Sequence, residues 1–248
     1  MWAFALPALA CLAACAPATR AGEGIVSTSL CGDGYARASG GELAALSWQS
    51  DGPLGSGWTG LKASADAEAL VAMQPDVLLL GPGERVREAL LPGTDVIRLD
   101  WTESLEGVGA NLARLPGAVS EPRAPDADPV RPATGGPEKT VLYLSRSGGT
   151  AGPGTYVDAA IRLAGGRNLV TTPGWFTPDP EWIVAQDPDV VLLSFLDAYE
   201  SVNATLVRNR AVAEFVATRP TIEVPGRLWP CAGPGLDEAV QIIRDGLG

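Results

Sequence analysis

EWIVAQDPDVVLL, Glu181 to Leu193, joins a helical pattern, a Pro-Asp break and an unbroken apolar run in one short phrase. Apolar residues three and four apart after Glu181 predict a short amphipathic helix. Pro188 ends that helix, because its ring crowds a preceding residue in the αR conformation, and the run that follows reads as a strand buried on both faces. The phrase occurs earlier as EALVAMQPDVLLL, Glu68 to Leu80, with a glutamate again seven residues ahead of the proline. One helix-Pro-Asp-strand unit in each half predicts an α/β protein of two similar lobes, the architecture of a protein that closes on something.

Outward from these units, an N-terminal lobe spans 24–101. It opens with a strand in GIVSTSL, then a Gly-rich loop carrying Cys31 and Asp33, a helix and a strand near 43–48. A Gly- and Ser-rich loop at 49–60 carries Trp58 and leads into the first unit. A helix beginning at Glu84 and a strand at 95–99 complete the lobe. Residues 102–139 connect the lobes. Leu105, Val108, Leu112 and Leu115 give one helix capped by a Thr or Ser, and Pro116, Pro122, Pro125, Pro129, Pro132 and Pro137 then mark a polar, Pro-rich linker. The C-terminal lobe, 140–248, begins with the strand TVLYLS and a Gly-rich turn. A helix follows from Tyr156 to Leu163, then the second unit, a helix near Val212, a strand at 221–224 and an amphipathic C-terminal helix.

The chain has 248 residues, 46% apolar and 19% charged, enough for a sizeable core. Residues 1–14 read as a signal peptide, too short in their apolar run to span a bilayer. They end in Leu12-Ala13-Ala14-Cys15, the pattern of a bacterial lipobox with Cys15 lipidated; an ordinary signal peptide cut near Ala18 is the alternative. The lack of a basic stretch at the start departs from that pattern and makes a start upstream of Met1 an expectation. A net charge of −11 speaks against nucleic acid as a partner. Histidine is absent, so a Ser-His-Asp or Cys-His nucleophile has no base and His-bearing zinc sites cannot be built.

Trp48, Trp58, Trp175 and Phe176 lie in loop-like sequence where no helical or strand period requires them, which suits aromatic faces set against a bulky, partly planar ligand. Trp182 and Trp229 include core members. Cys31 and Cys231, one from each lobe, leave three options: a disulfide across the cleft, thiolates on a soft metal, or free thiols. The glycines of Ser145 to Gly154 lack a P-loop ending and read as a flexible turn at the cleft mouth, with phosphate binding the weaker reading. Glu68 and Glu181 gain from the helix dipole at helix starts. Their matched places also suit two contacts with a twofold-symmetric partner.

Together these phrases resemble the periplasmic binding proteins that deliver cobalamin and iron chelates to ABC importers. The resemblance is carried by VSTSLCGDGY at 26–35, EALVAMQPDVLLL, TAGPGTYVDAAIRLAGGRNLV at 150–170, the Trp175 to Glu181 segment with PDVVLLS, and RLWPCAGP at 227–234. It implies two Rossmann-like lobes around a central ligand cleft, in a lipoprotein held at a bacterial membrane through Cys15 on the periplasmic side. Such a protein has no resident cofactor and no enzymatic activity. It acts as a monomer that captures a metal chelate (iron-siderophore, haem or cobalamin) and docks on a dimeric permease. Glu68 and Glu181 would dock. Cys31, Asp33, Trp48, Trp58, Tyr156, Trp175, Phe176, Trp229 and Cys231 would line the ligand site. Trp175, six residues before Glu181, falls where cobalamin-binding members place an aromatic; the matching position before Glu68 is Lys62. Family members join their lobes by a long rigid helix, so the shortened helix here implies either unusual hinge freedom or a trimmed, weakly functional variant. Two rival readings are an enzyme using Asp33, Asp51 or Cys231, and a zinc or manganese receptor.

Overall fold

The computed structural model describes residues 23–50, 57–117, 138–194, 208–229 and 231–248. The leader with Cys15, the loop with Asp51 and most of the Pro-rich linker lie outside the described residues. Five parallel strands form the first sheet: β1 (Ile25–Ser27), β2 (Leu43–Ser47), β3 (Leu61–Ala63), β4 (Val77–Leu80) and β5 (Asp95–Arg98), in the order β3-β2-β1-β4-β5. Three helices accompany it, α1 (Leu30–Ala38), α2 (Ala67–Met73) and α3 (Leu105–Leu112).

The second sheet is also parallel. It contains β6 (Thr140–Ser145), β8 (Arg167–Asn168), β10 (Val190–Ser194) and β11 (Thr221–Val224), in the order β11-β10-β6-β8. A separate antiparallel pair joins β7 (Thr150–Ala151) to β9 (Trp175–Phe176). The helices here are α4 (Tyr156–Leu163), α5 (Pro180–Val184), α6 (Arg210–Ala217) and α7 (Leu236–Leu247). The α/β class and the two Rossmann-like sheets agree with the sequence reading.

Both repeated phrases fold as read. Glu68 and Glu181 each occupy the second position of their helix, after Asp66-Ala67 and Asp179-Pro180, and both are exposed. In each unit the Asp after the proline ties the strand start of its own lobe. Asp76 Oδ2 accepts the Gly24 N–H at 3.1 Å, ahead of β1. Asp189 Oδ2 accepts the Thr140 N–H at 2.7 Å and the Thr140 hydroxyl at 2.8 Å, at the start of β6. The strands that follow lie in sheet interiors: β4 pairs with β1 and β5, and β10 with β6 and β11. β10 is buried at all its positions, as an inner strand of a parallel sheet must be.

Several local expectations are corrected. Cys31 and Asp33 belong to the first turn of α1, capped by Ser29, whose hydroxyl accepts the Gly32 N–H at 3.1 Å. No helix starts at Glu84: Gly83 takes φ +82°, and the Glu84 carboxylate folds back to accept the Gly81 N–H at 2.7 Å and the Thr28 hydroxyl at 2.6 Å. Only a 3₁₀ turn, Glu88–Leu90, follows. The Gly-rich turn after β6 is closed at its base: Ser145 N–H donates to Gly149 O at 2.8 Å, and Gly149 N–H donates to Ser145 Oγ at 3.0 Å.

The expected hinge freedom does not fit the lobe contact. One contiguous buried cluster holds Ile25, Tyr35 and Leu79 of the first lobe and Val108 of the connecting helix with Val141, Tyr143, Trp229 and Leu236 of the second. Apolar burial across the boundary, at about 25 cal/mol per Å², opposes separation of the lobes whatever the length of α3.

Candidate functional site

In parallel sheets the loops at the carboxyl ends of the strands build the ligand crevice. Here the two carboxyl edges meet. The Cys31–Cys231 disulfide, with Cα atoms 5.8 Å apart, joins the segment just past β1 to the segment past β11. Beside it, Tyr35 of α1 donates its hydroxyl proton to Ala232 O at 3.0 Å. Farther along, a Cβ built on Gly154, ahead of α4, would lie 3.9 Å from the Glu103 carboxylate, which follows β5.

The predicted aromatic residues divide into three groups. Trp48 directly follows β2 and is 62% exposed, and Trp175 on β9 is 46% exposed. These two are free to meet a ligand. Phe176, the next residue on β9, points to the other face and packs on Trp182 at a centroid distance of 6.3 Å, as strand alternation requires. Trp58 belongs elsewhere: its indole N–H donates to Leu61 O at 2.9 Å and its ring lies 5.7 Å from the Arg37 guanidinium. Arg37 sits in the last turn of α1, which runs away from the carboxyl edge, so Trp58 covers the sheet face rather than the cleft.

Trp229 and Tyr156 are buried, and neither offers a ligand face. The Trp229 indole N–H donates to Ser194 Oγ at the end of β10, and its carbonyl accepts the Tyr156 hydroxyl at 2.8 Å. With Tyr143 these residues form a platform beneath Trp175, whose ring centroid lies 5.1 Å from Tyr156 and 6.2 Å from Tyr143. Burial pushes both tyrosine hydroxyls well above the ordinary phenol value, so both stay neutral, and Tyr156 uses its own as a hydrogen-bond donor.

Asp33 is also structural. Its carboxylate accepts the Ser47 N–H at 2.9 Å and the Ser47 hydroxyl at 2.6 Å, tying α1 to the end of β2. Burial raises its pKa, while the hydrogen bonds from Ser47 oppose the shift. Lys62 reaches back to Ser50 Oγ at 3.0 Å and Trp58 O at 2.6 Å.

Sequence reasoning missed Trp101. It lies three residues beyond β5, at the carboxyl edge of the first sheet, and is 59% exposed. Its flanking residue Asp100 is fixed at both backbone groups: its N–H donates to Asn111 Oδ1 at 2.9 Å, and its carbonyl accepts from Asn111 Nδ2 at 2.9 Å. Its place just past the end of a strand was the available signal. Among the described residues no group of three His, Cys, Asp or Glu could hold a metal ion.

No protein-family model matches the chain. A cobalamin-binding protein of Halobacterium salinarum is 33% identical over 163 residues, a match that takes in 54% of this chain and 41% of that protein. The chain therefore spans less than half the length of the curated relatives it matches. Among solved structures, the periplasmic haem-binding protein HutB of Vibrio cholerae superposes with a TM-score of 0.69 at 20% identity, over 92% of this chain and 99% of that one. A periplasmic haem-binding protein from Pseudomonas aeruginosa gives 0.65 at 24% identity, over 89% and 90%. The periplasmic vitamin B12-binding protein BtuF of Vibrio cholerae gives 0.63 at 17% identity, over 91% and 96%. The chain has the two-lobed fold of periplasmic haem- and vitamin B12-binding proteins.

Proposed function

We propose that this chain is the non-enzymatic, substrate-binding lipoprotein of an ABC importer, which captures a metal chelate between its lobes and delivers it to a dimeric permease. The observation that carries the reading is the placement of Trp48, Trp101 and Trp175 on carboxyl edges that face one another across the lobe seam. All three rings are available to an incoming ligand. Aromatic faces on a rigid two-sheet frame suit a bulky, partly planar molecule, which loses little of its own freedom on binding. The haem and vitamin B12 named for the proteins of like fold are molecules of that kind.

A chain without histidine has few side chains suited to stripping a metal from its chelator, so the intact chelate is the better fit. For the same reason the zinc or manganese receptor is disfavoured. The enzyme reading loses two of its groups: Cys231 is in a disulfide and the Asp33 carboxylate is committed to Ser47. Cys15 would carry the lipid anchor at the periplasmic face of the membrane, and Glu68 and Glu181 would dock on the permease.

The test is titration of the purified protein with haemin, cyanocobalamin and a ferric siderophore, followed by tryptophan fluorescence. Saturable quenching by one of the three at a one-to-one ratio is expected. Absence of saturable quenching by all three would overturn the chelate assignment.

A further inference from the structure

The disulfide is not needed to hold either sheet together, since each lobe has its own strand ladder. What it does join is the network behind two of the cleft tryptophans. On the second lobe, Cys231 lies two residues beyond Trp229. Trp229 accepts from Tyr156 and stacks near it at 6.3 Å and near Tyr143 at 6.0 Å, and both tyrosines underlie Trp175. On the first lobe, the buried Asn111 holds both backbone groups of Asp100, the neighbour of Trp101, and its amide also reaches the Tyr35 hydroxyl at 3.3 Å. That hydroxyl in turn donates to Ala232, next to Cys231. α1 itself packs closely on this segment: a Cβ on Gly34 would lie 3.8 Å from Pro234 Cδ, and one on Gly233 would lie 3.8 Å from the Tyr35 ring. Asp33 keeps α1 fixed to β2, so Cys31 is an anchored attachment point.

We infer that Cys31–Cys231, Tyr35 and Asn111 are positioning residues: they form a strap that sets the gap between Trp101 and Trp175, and so the thickness of ligand the cleft accepts. The inference rests on the chelate-cleft reading above for its ligand, but not for the mechanical link itself. Trp48 follows Ser47 at the end of β2, so among the described residues its link to the strap runs only through the Asp33–Ser47 hydrogen bonds. Reducing the bridge with an added dithiol moves two electrons into the protein. The dithiol closes to its own disulfide, and the two cysteines become thiols. The covalent link is then gone, and Tyr35 and Asn111 alone hold the gap.

The test uses the folded chain with its tryptophans labelled as 5-fluorotryptophan, their ¹⁹F resonances assigned by single Trp→Phe variants. In the ligand-free protein, reduction by dithiothreitol and the separate variant Tyr35→Phe should each shift or broaden the Trp101 and Trp175 signals more than that of Trp48. Reoxidation should restore the reduced sample. With chelates, the ratio of haemin to cyanocobalamin affinity should change by roughly two- to tenfold on reduction, since the preorganisation lost is that of one or two side chains. A general loss of stability would lower both affinities without changing their ratio. Unmoved Trp101 and Trp175 signals after reduction, in protein whose far-UV circular dichroism is intact, would overturn the strap. If those signals move while neither probe binds the native protein, the strap stands and the chelate reading fails.

Discussion

Gln74 carries a left-handed backbone, φ 49°, at the C-terminal cap of α2, where its N–H donates to Leu70 O at 2.9 Å and Pro75 follows. A side chain with a Cβ is strained there, and glycine is not. Gln74 is exposed, so nothing is lost in packing. Gln74→Gly is therefore expected to stabilise the protein by about 0.5–1 kcal/mol, raising Tm by roughly 1–4 °C in a thermal melt. At the same scale the tryptophans separate by what they touch. Trp101→Ala, which removes an exposed ring, should leave Tm nearly unchanged and weaken chelate binding by roughly tenfold or more in a fluorescence titration. Trp58→Ala should do the reverse, lowering Tm and sparing affinity, because its indole N–H and its face are satisfied by Leu61 and Arg37. Residue type alone could not distinguish these two rings, although only Trp58 sits in a Gly-rich stretch. The distinction depends on which end of a strand each one lies beside.

At the scale of elements, the Pro-Asp unit explains why its acidic residue is there: each carboxylate accepts from the backbone that starts the first strand of its lobe. For Asp189, the Thr140 N–H and then the Thr140 hydroxyl lower the carboxyl pKa below its ordinary value. A depressed folded-state pKa gives stabilisation that is complete above the unfolded carboxylate's pKa and is lost as pH falls through the folded value. Asp189→Asn should therefore lower Tm at neutral pH, and the deficit against the native protein should shrink on acidification below the ordinary aspartate range. A constant deficit from neutral to strongly acid pH would show that ionisation plays no part. The buried runs of β4, β6 and β10 were legible because an inner parallel strand must be apolar on both faces. β3, β7 and β9 were not, being two or three residues long and specified by pairing across turns. The helix expected at Glu84 fails for a local reason: a carboxylate that serves Gly81 and Thr28 at the end of β4 keeps the chain in a turn.

For the molecule as a whole, the matched units place Glu68 and Glu181 at equivalent positions of the two lobes, and neither makes an ion pair among the described residues. The lobe seam is buried and cross-linked, so the separation of the two carboxylates is fixed by the fold rather than by the connecting helix. A fixed pair of like charges on an acidic protein can engage two cationic patches of a twofold-symmetric permease only if both are in register at once. The second contact then forms at high effective concentration once the first is made. Loss of either carboxylate should accordingly cost most of the docking affinity, and Glu68→Lys with Glu181→Lys should abolish it by placing like charges against the patches. Each lysine also opposes its helix dipole, a penalty of about 0.3–1 kcal/mol that leaves the fold intact. Chelate uptake by vesicles carrying the permease should stop in the double variant while fluorescence-measured chelate affinity is unchanged. Uptake that persists with both charges reversed would remove these glutamates from the docking surface and leave only their role at the helix N-termini.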